Sequence, residues 1–304
     1  MYNSSSFHTL NSDKNHSLIF RIKWFIANFI NNYFNLNSRD KEIMYKKFTN
    51  LNFITIAENL NSKLSPSRMF CDIFWHSLPW NEIEKELNHF NILEVGCGKG
   101  IYGKILNEIL NNNKFKYNGV DIKKHKEWDE FNKDFTFNID ISDNTFKYIN
   151  NKNLIITQSA IEHFENDITF FEQISLEANK TTDPILQIHL MPSRFCLYTY
   201  LNHGVRQYSL NTISKITKLF NSNTKKLFID LGSIRSNILM LKYVTYPLFI
   251  AKRNDKRETQ NNKYLSELYN AIELDMKKPF LNNSAFSCLI LETNFKSKIK
   301  YPII

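Results

Sequence analysis

Four of the seven glycines in this 304-residue chain fall between positions 96 and 103, and that clustering constrains the fold more than any other feature. The stretch reads NILEVGCGKGIYGKIL, residues 91–106. Glycine loses more conformational freedom on folding than any other residue, so a local concentration marks a backbone that must turn tightly or approach something closely. Upstream, Ile92, Leu93 and Val95 make a short apolar run, as of a buried strand. Downstream, GIYGKILNEIL has the apolar spacing of a helix. A strand, a glycine turn and a helix in that order open a ligand-binding α/β unit.

Three motifs overlap in the turn. Gly98, Gly103 and Lys104 give most of a phosphate-binding P-loop, but that loop needs Ser or Thr after its Lys to hold magnesium, and Ile105 stands there. Gly98, Gly100 and Gly103 give the G-x-G-x-x-G dinucleotide fingerprint, with Asp121 ending the next strand where a ribose-binding acid belongs. That reading starts two residues late, because the strand ends at Val95. It also leaves Glu94 as an unexplained acid in a buried strand, which is costly unless paired. The third reading, an acid in the strand followed by Gly96, Gly98 and Gly100, uses every feature.

Beyond the turn, strands alternate with helices. KYNGVDI (116–122), DFTFNIDIS (134–142), the start of NLIITQSAIEHF (153–164) and DPILQIHLMPS (183–193) read as strands two to five. DITFFEQISLEANK (167–180) reads as a helix. Such alternation implies a parallel sheet with right-handed crossovers. Residues 195–220 look helical with a break at His203 and Gly204. Residues 225–233 and 285–295 read as a sixth and a seventh strand, and 237–252 is an apolar segment interrupted by Pro247.

The segment ILEVGCGKG resembles motif I of the class I S-adenosylmethionine-dependent methyltransferases, and the resemblance continues through YNGVDI, FNIDISD, NLIITQSAIEHFEN and PILQIHLMPS, in order, over residues 90–195. It implies an α/β, Rossmann-like, seven-stranded mostly parallel sheet of order 3-2-1-4-5-7-6. It implies S-adenosyl-L-methionine as cofactor, a sulfonium cation without phosphate, which suits acids around a glycine turn. By this resemblance Glu94 orients the turn and approaches the methionine portion, Gly96, Cys97, Gly98 and Gly100 let the backbone approach it, and Asp121 accepts from both ribose hydroxyls. Asp140 addresses the adenine amino group, with Ile141 over the ring. Ile122 and Ser159 complete the expected cofactor set. The expected domain is residues 61–304, with a helical acceptor-site insertion at about 195–225, preceded by a helical extension over 1–60 whose first 16 or so residues are disordered.

Methyl transfer needs proximity and alignment, plus a base when the nucleophile is a hydroxyl. The candidates are His163 after strand four, His189 in strand five and His203 in the break, since imidazole titrates near neutral pH. Arg206, beside His203, is a candidate bidentate clamp for an acidic sugar or phosphate. MPSRF and NHGVRQYS resemble methyltransferases of bacterial cell-surface polysaccharide synthesis. The Asp/Asn-Pro-Pro-Tyr/Phe motif of amino and base methylation is absent after strand four, where QSAI stands. The expected reaction is therefore O-methylation of a sugar or lipid-linked glycan. The rival readings are methylation of RNA or another small molecule, and a methyltransferase fold used only for binding.

The net charge of +9 could favour an anionic partner, but no dense Lys/Arg tract of a nucleic-acid arm is present, so a nucleic-acid partner is not expected. Four dispersed cysteines fit reduced thiols in the cytoplasm, and no Cys/His cluster has zinc-like spacing, so no metal is expected. No signal peptide and no run of about 18 apolar residues is seen. Residues 17–36 form an amphipathic helix. It either packs on the core, covers the active site or makes a peripheral contact with the inner face of the membrane, a role that 237–252 could share.

Overall fold

A computed structural model of the chain describes residues 3–34, 38–110, 115–201, 203–277, 283–284 and 286–304. Leu36, Asn202 and Ala285, on which the readings of 17–36, the His203 loop and strand seven touch, lie outside them. One eight-stranded sheet runs through the molecule: β1 (Ile43–Lys47), β2 (Phe90–Val95), β3 (Phe115–Asp121), β4 (Phe135–Ile139), β5 (Leu154–Gln158), β6 (Ile185–Pro192), β7 (Thr224–Leu231) and β8 (Phe286–Thr293). The helices are α1 (Leu18–Tyr33), α2 (Phe53–Ala57), α3 (Pro66–Ser77), α4 (Trp80–Leu87), α5 (Ile101–Leu110), α6 (Phe146–Ile149), α7 (Asp167–Ala178), α8 (Cys196–Thr199), α9 (Leu210–Thr217), α10 (Ile234–Met240), α11 (Lys256–Thr259) and α12 (Asn261–Lys277). A π-helical stretch, Leu241–Ile250, continues α10 and contains Pro247.

The strand order is β4-β3-β2-β5-β6-β8-β7-β1. Counted from β2 as strand one, it reads 3-2-1-4-5-7-6, with β1 added at the far edge. All neighbours are parallel except β8, which is antiparallel to both β6 and β7. The sheet thus has the expected Rossmann-like order. It has eight strands instead of seven because residues 43–47, in the extension read as helical, pair in parallel with β7. That short stretch, IMYKK, carries too weak an apolar signal to announce a strand. Residues just before it hold the neighbouring strand: Lys226 of β7 is buried against Asp40 and Glu42.

The central strands are buried along their whole length: β5, β6 and β8 have no exposed residue. Such runs need covering on both faces. One apolar layer joins α3, α4, α10 and α12 to the sheet, and the other packs α7 and α9 against Leu93, Ile155, Phe228 and Leu289. The reversal of strand order lies between β2 and β5, where a ligand crevice belongs in such sheets.

The first residues are ordered against this body, contrary to the expected disorder. Ser5 donates to Asp167 from its amide and hydroxyl, and the Ser12 amide donates to the Gly204 carbonyl at 3.0 Å. Their polarity, which reads as disorder in isolation, supplies hydrogen bonds to a buried acid and a loop.

Helix α1 buries its polar side, the reverse of what packing on the core by its apolar side requires. Its buried residues are Trp24, Asn28, Asn31 and Asn32. Trp24 Nε1 donates to the Gly204 carbonyl at 3.0 Å, Asn28 Nδ2 to the Val205 carbonyl at 3.1 Å and Asn32 Nδ2 to Gln207 Oε1 at 3.2 Å. The apolar side, from Leu18 and Ile19 through Ile22, Ile26, Phe29 and Ile30, is exposed.

Candidate active site

The chain turns directly after β2. Gly96, Gly98 and Gly100 all have positive φ, at 75°, 51° and 77°, a region that L side chains enter at a cost. A Cβ on Gly96 would lie 2.4 Å from Ala160 Cβ, so this glycine lets the turn pass against the end of β5. A Cβ on Gly98 would meet nothing within 4 Å; its backbone faces open space. Gly103 lies in α5, where a Cβ would strike the Tyr117 ring at 2.7 Å. It serves helix–sheet packing and not a phosphate. Lys104 lies over the Phe131 ring at 4.7 Å, away from any P-loop position.

The acids cluster around this turn. Asp121, at the end of β3, accepts from the Gly98 amide at 2.8 Å through Oδ2, and His125 Nε2 lies 3.7 Å from its other oxygen. Glu94 is buried and accepts from the Tyr117 hydroxyl. Burial is the main reason its pKa rises to about 8, with the Asp121 charge adding to the rise and Tyr117 opposing it. The Cys97 thiol is buried beside it and is pushed up by burial and by the Glu94 charge.

Asp140 follows β4, and its amide donates to the Asp121 carbonyl at 2.9 Å. Its carboxylate accepts from Asn144 at 2.6 Å, Lys147 at 2.9 Å and Tyr148 at 3.0 Å. These bonds, Asn144 first, hold its pKa below the usual carboxylate range. Ile122 and Ile141 stand 73% and 52% exposed beside these acids. The crevice therefore offers buried and half-buried carboxyl groups, a glycine backbone uncovered at Gly98 and two uncovered apolar side chains at one end of the sheet, with Trp128 bracing the loop by donating to the Gly98 carbonyl at 2.8 Å.

Ser159, at the end of β5, has φ 50° and lines a cavity of about 330 Å³ with Ser65, Arg68, Pro192, Tyr200, His203 and Phe286. Sequence reading did not find the α3 side of this cavity. Arg68 donates to the Tyr102 hydroxyl at 2.7 Å, and that hydroxyl donates to Asp72 at 2.6 Å. Tyr102 lies in the first turn of α5, so this triad links the glycine turn's helix to the cavity. No motif marks Arg68; its position three residues after the N-cap Ser65 in a mixed helix gives no signal.

The three histidines separate. His163 and His203 come together with ring centroids 4.7 Å apart. Their Nε2 atoms lie 3.9 and 3.5 Å from Oε1 of Glu162, which is fully buried. His163 Nδ1 bonds Asp13 Oδ2 at 2.6 Å. Burial discourages charge on His163, but Asp13 and Glu162 outweigh it and its pKa is raised. His189 is different: it is fully buried, bonded to Thr157 at 3.0 Å and packed against Phe170 and Phe171. Burial lowers its pKa to about 3. It is a neutral core side chain, not a base, because its strand presents it to α7.

Arg206 is also not available as a substrate clamp. Its buried guanidinium donates to Ser6 Oγ at 3.0 Å, to the Phe164 carbonyl at 2.6 Å and to the Glu165 carbonyl at 3.0 Å, and lies 3.3 Å from Asp167. It ties the N-terminal segment to the loop after β5.

Strand order and glycine turn together define the Rossmann-like fold of class I methyltransferases. No protein-family model and no curated protein sequence matches the chain. Solved structures that it resembles include the plantazolicin methyltransferase BpumL in complex with SAH (12% identity, TM-score 0.48, covering 79% of this chain and 89% of that one). Others are a SAM-dependent methyltransferase from Archaeoglobus fulgidus (13%, 0.44, 80% and 100%) and Haemonchus contortus phosphoethanolamine N-methyltransferase 2 (13%, 0.41, 70% and 52%). At these identities and scores the fold reading stands on the strand order itself.

Proposed function

We propose that the chain is an S-adenosyl-L-methionine-dependent methyltransferase that O-methylates a hydroxyl of a sugar or lipid-linked glycan. The observation that carries the cofactor assignment is the pairing of the Gly98 amide with Asp121 beside a turn whose backbone faces open space. Glu94, Asp121 and Asp140 lie at this end of the sheet, and a cationic ligand without phosphate complements the carboxylates of Asp121 and Asp140. Asp121 receives the ribose, Glu94 the methionine end, and Ile122 and Ile141 flank the adenine. The acceptor enters the cavity between Ser159 and His203. The hydroxyls of Ser65, Ser159 and Tyr200 and the guanidinium of Arg68 in its lining suit a polyol, and the Glu162–His163–His203 cluster activates the attacking oxygen.

The exposed apolar side of α1 supports a lipid-linked acceptor. Residues 14–39 contain no acid, and neither do residues 231–254, which carry a second exposed apolar set, Ile234, Ile238, Tyr246, Phe249 and Ile250. Helix α8, which ends just before the cavity residue Tyr200, joins the two: Phe25 meets Tyr198 edge-on at 6.2 Å, and Thr245 donates to the Thr199 carbonyl at 2.6 Å. Apolar residues interspersed with cations only are the composition of a surface that rests on an anionic leaflet. No described helix is long and apolar enough to cross a membrane. Radiolabelled methyl transfer to free sugars and to lipid-linked glycans tests the acceptor: incorporation into neither, with cofactor binding intact, removes the glycan assignment.

A further inference from the structure

Glu162 has no hydrogen-bond partner on either carboxylate oxygen among the described residues, although it is fully buried. An uncompensated buried carboxylate costs several kcal/mol, more than a buried neutral amide or hydroxyl without a partner, and such a group calls for an ion or a water. Its surroundings favour an ion. One ligand atom each from Glu162, His163 and His203 lies within 4.8 Å of the others.

The imidazoles are arranged for coordination. His163 bonds Asp13 through Nδ1 at 2.6 Å, which leaves Nε2 on the side of Glu162. A histidine ligand whose other nitrogen is held by a carboxylate is the usual second layer of a metal site. Asp13 is itself fixed by the Gly204 amide at 3.2 Å. Gly204 must be a glycine: φ is 67°, and a Cβ would lie 2.7 Å from the Glu162 carbonyl. Ser12 and Trp24 both donate to the Gly204 carbonyl, so the N-terminal segment braces both the Asp13–His163 pair and the loop that carries His203. The absence of this cluster from the sequence expectation has a plain reason. Only Glu162 and His163 are adjacent in the chain; His203 arrives forty positions later and Asp13 from the far end.

We propose that Glu162, His163 and His203 hold a divalent transition metal of the zinc or manganese class, with Asp13 as a positioning residue. Two imidazoles and one carboxylate suit such ions and leave coordination positions open. His203 also lines the 330 Å³ cavity, so an open position is available to an acceptor oxygen, whose proton the metal would make easier to lose. That last role rests on the methyltransferase reading; the metal site does not.

The test is calorimetry of metal-free, tag-free, full-length protein with zinc sulfate and with manganese chloride, alongside an S-adenosylhomocysteine titration of the same samples. One equivalent of either ion should bind wild type. His203→Ala, a half-exposed position that should not endanger folding, and Glu162→Gln should each weaken binding tenfold or more. Asp13→Asn should weaken it about 10–100-fold, as loss of a metal ligand's orienting partner does. The S-adenosylhomocysteine titration should stay unchanged in all three. Absence of stoichiometric binding of both ions to folded wild type overturns the proposal, as does binding that survives both His203→Ala and Glu162→Gln. Metal binding without S-adenosylhomocysteine binding supports this site and removes the methyltransferase reading; the reverse pattern does the opposite.

Discussion

The Gly98 amide donates to the Asp121 carboxylate at 2.8 Å across the gap between the first glycine turn and the end of β3. One contact thereby locks the loop and orients the acid, whose second oxygen accepts from the Lys123 amide at 3.4 Å and lies 3.7 Å from His125 Nε2. The glycines on either side have different duties, and substitution separates them.

Gly96→Ala puts a methyl group 2.4 Å from Ala160 Cβ, where neither backbone can yield cheaply. We expect a loss of about 3 kcal/mol or more of stability. Gly98→Ala meets no atom within 4 Å and costs only the ~1 kcal/mol of a left-handed alanine, yet its methyl group enters the space assigned to the ligand. Thermal melts and S-adenosylhomocysteine calorimetry on the two variants should therefore show opposite emphases: an unfolded or fragile Gly96→Ala, and a folded Gly98→Ala that binds poorly.

Glu94 gives a pH signature. Its pKa is raised to about 8 by burial, whereas the unfolded chain ionises it in the ordinary carboxylate range. Between that range and pH 8 the folded state holds one more proton than the unfolded state, so this contribution to stability declines as pH rises through the window. The slope approaches ~1.4 kcal/mol per pH unit. Glu94→Gln, which still accepts from Tyr117, should flatten it. Urea melts of the unliganded protein from pH 5 to 8 measure the difference; equal slopes would remove the buried neutral acid from the account.

Arg206 should behave as a structural residue. Removing its guanidinium leaves Asp167 with one charge uncompensated and two carbonyls short of a donor. Arg206→Met should cost roughly 3–5 kcal/mol and should release residues 3–14 to hydrogen exchange. A stable variant with altered acceptor affinity and an undisturbed N-terminus would restore the clamp reading.

The α1 surface makes its own prediction. Ile22 and Ile26 are each 52% exposed, so Ile22→Asp with Ile26→Asp should change stability by no more than ~0.5 kcal/mol per site. The same pair should abolish co-sedimentation with phosphatidylserine vesicles at low salt. Wild type that stays in the supernatant, or a double variant that still pellets, speaks against membrane docking.

The sequence made the centre of the fold legible and its margins not. Runs such as LIITQ and ILQIHL identify buried strands because they are too short for helices and too continuous for exposed ones. Glu94 and the three glycines stood out because both are costly without a purpose. His189 could not be placed, because alternation along a strand does not say which face meets a helix. Arg206 looked free because the chain does not reveal that its partners are carbonyls forty residues earlier and a serine at the N-terminus. Helix α1 was legible as an amphipathic helix but its buried side was not: asparagines that pair with the loop over residues 204–207 make the polar side the buried one. The acceptor-side cluster is a product of tertiary contact alone.

The central claim is the cofactor site, and calorimetry with S-adenosylhomocysteine addresses it most directly. Wild type should bind one equivalent, and Asp121→Ala, which keeps the fold but removes the ribose acceptor, should bind at least about tenfold more weakly, ~1.4 kcal/mol. No binding by folded wild type, or equal binding by Asp121→Ala, would contradict the account.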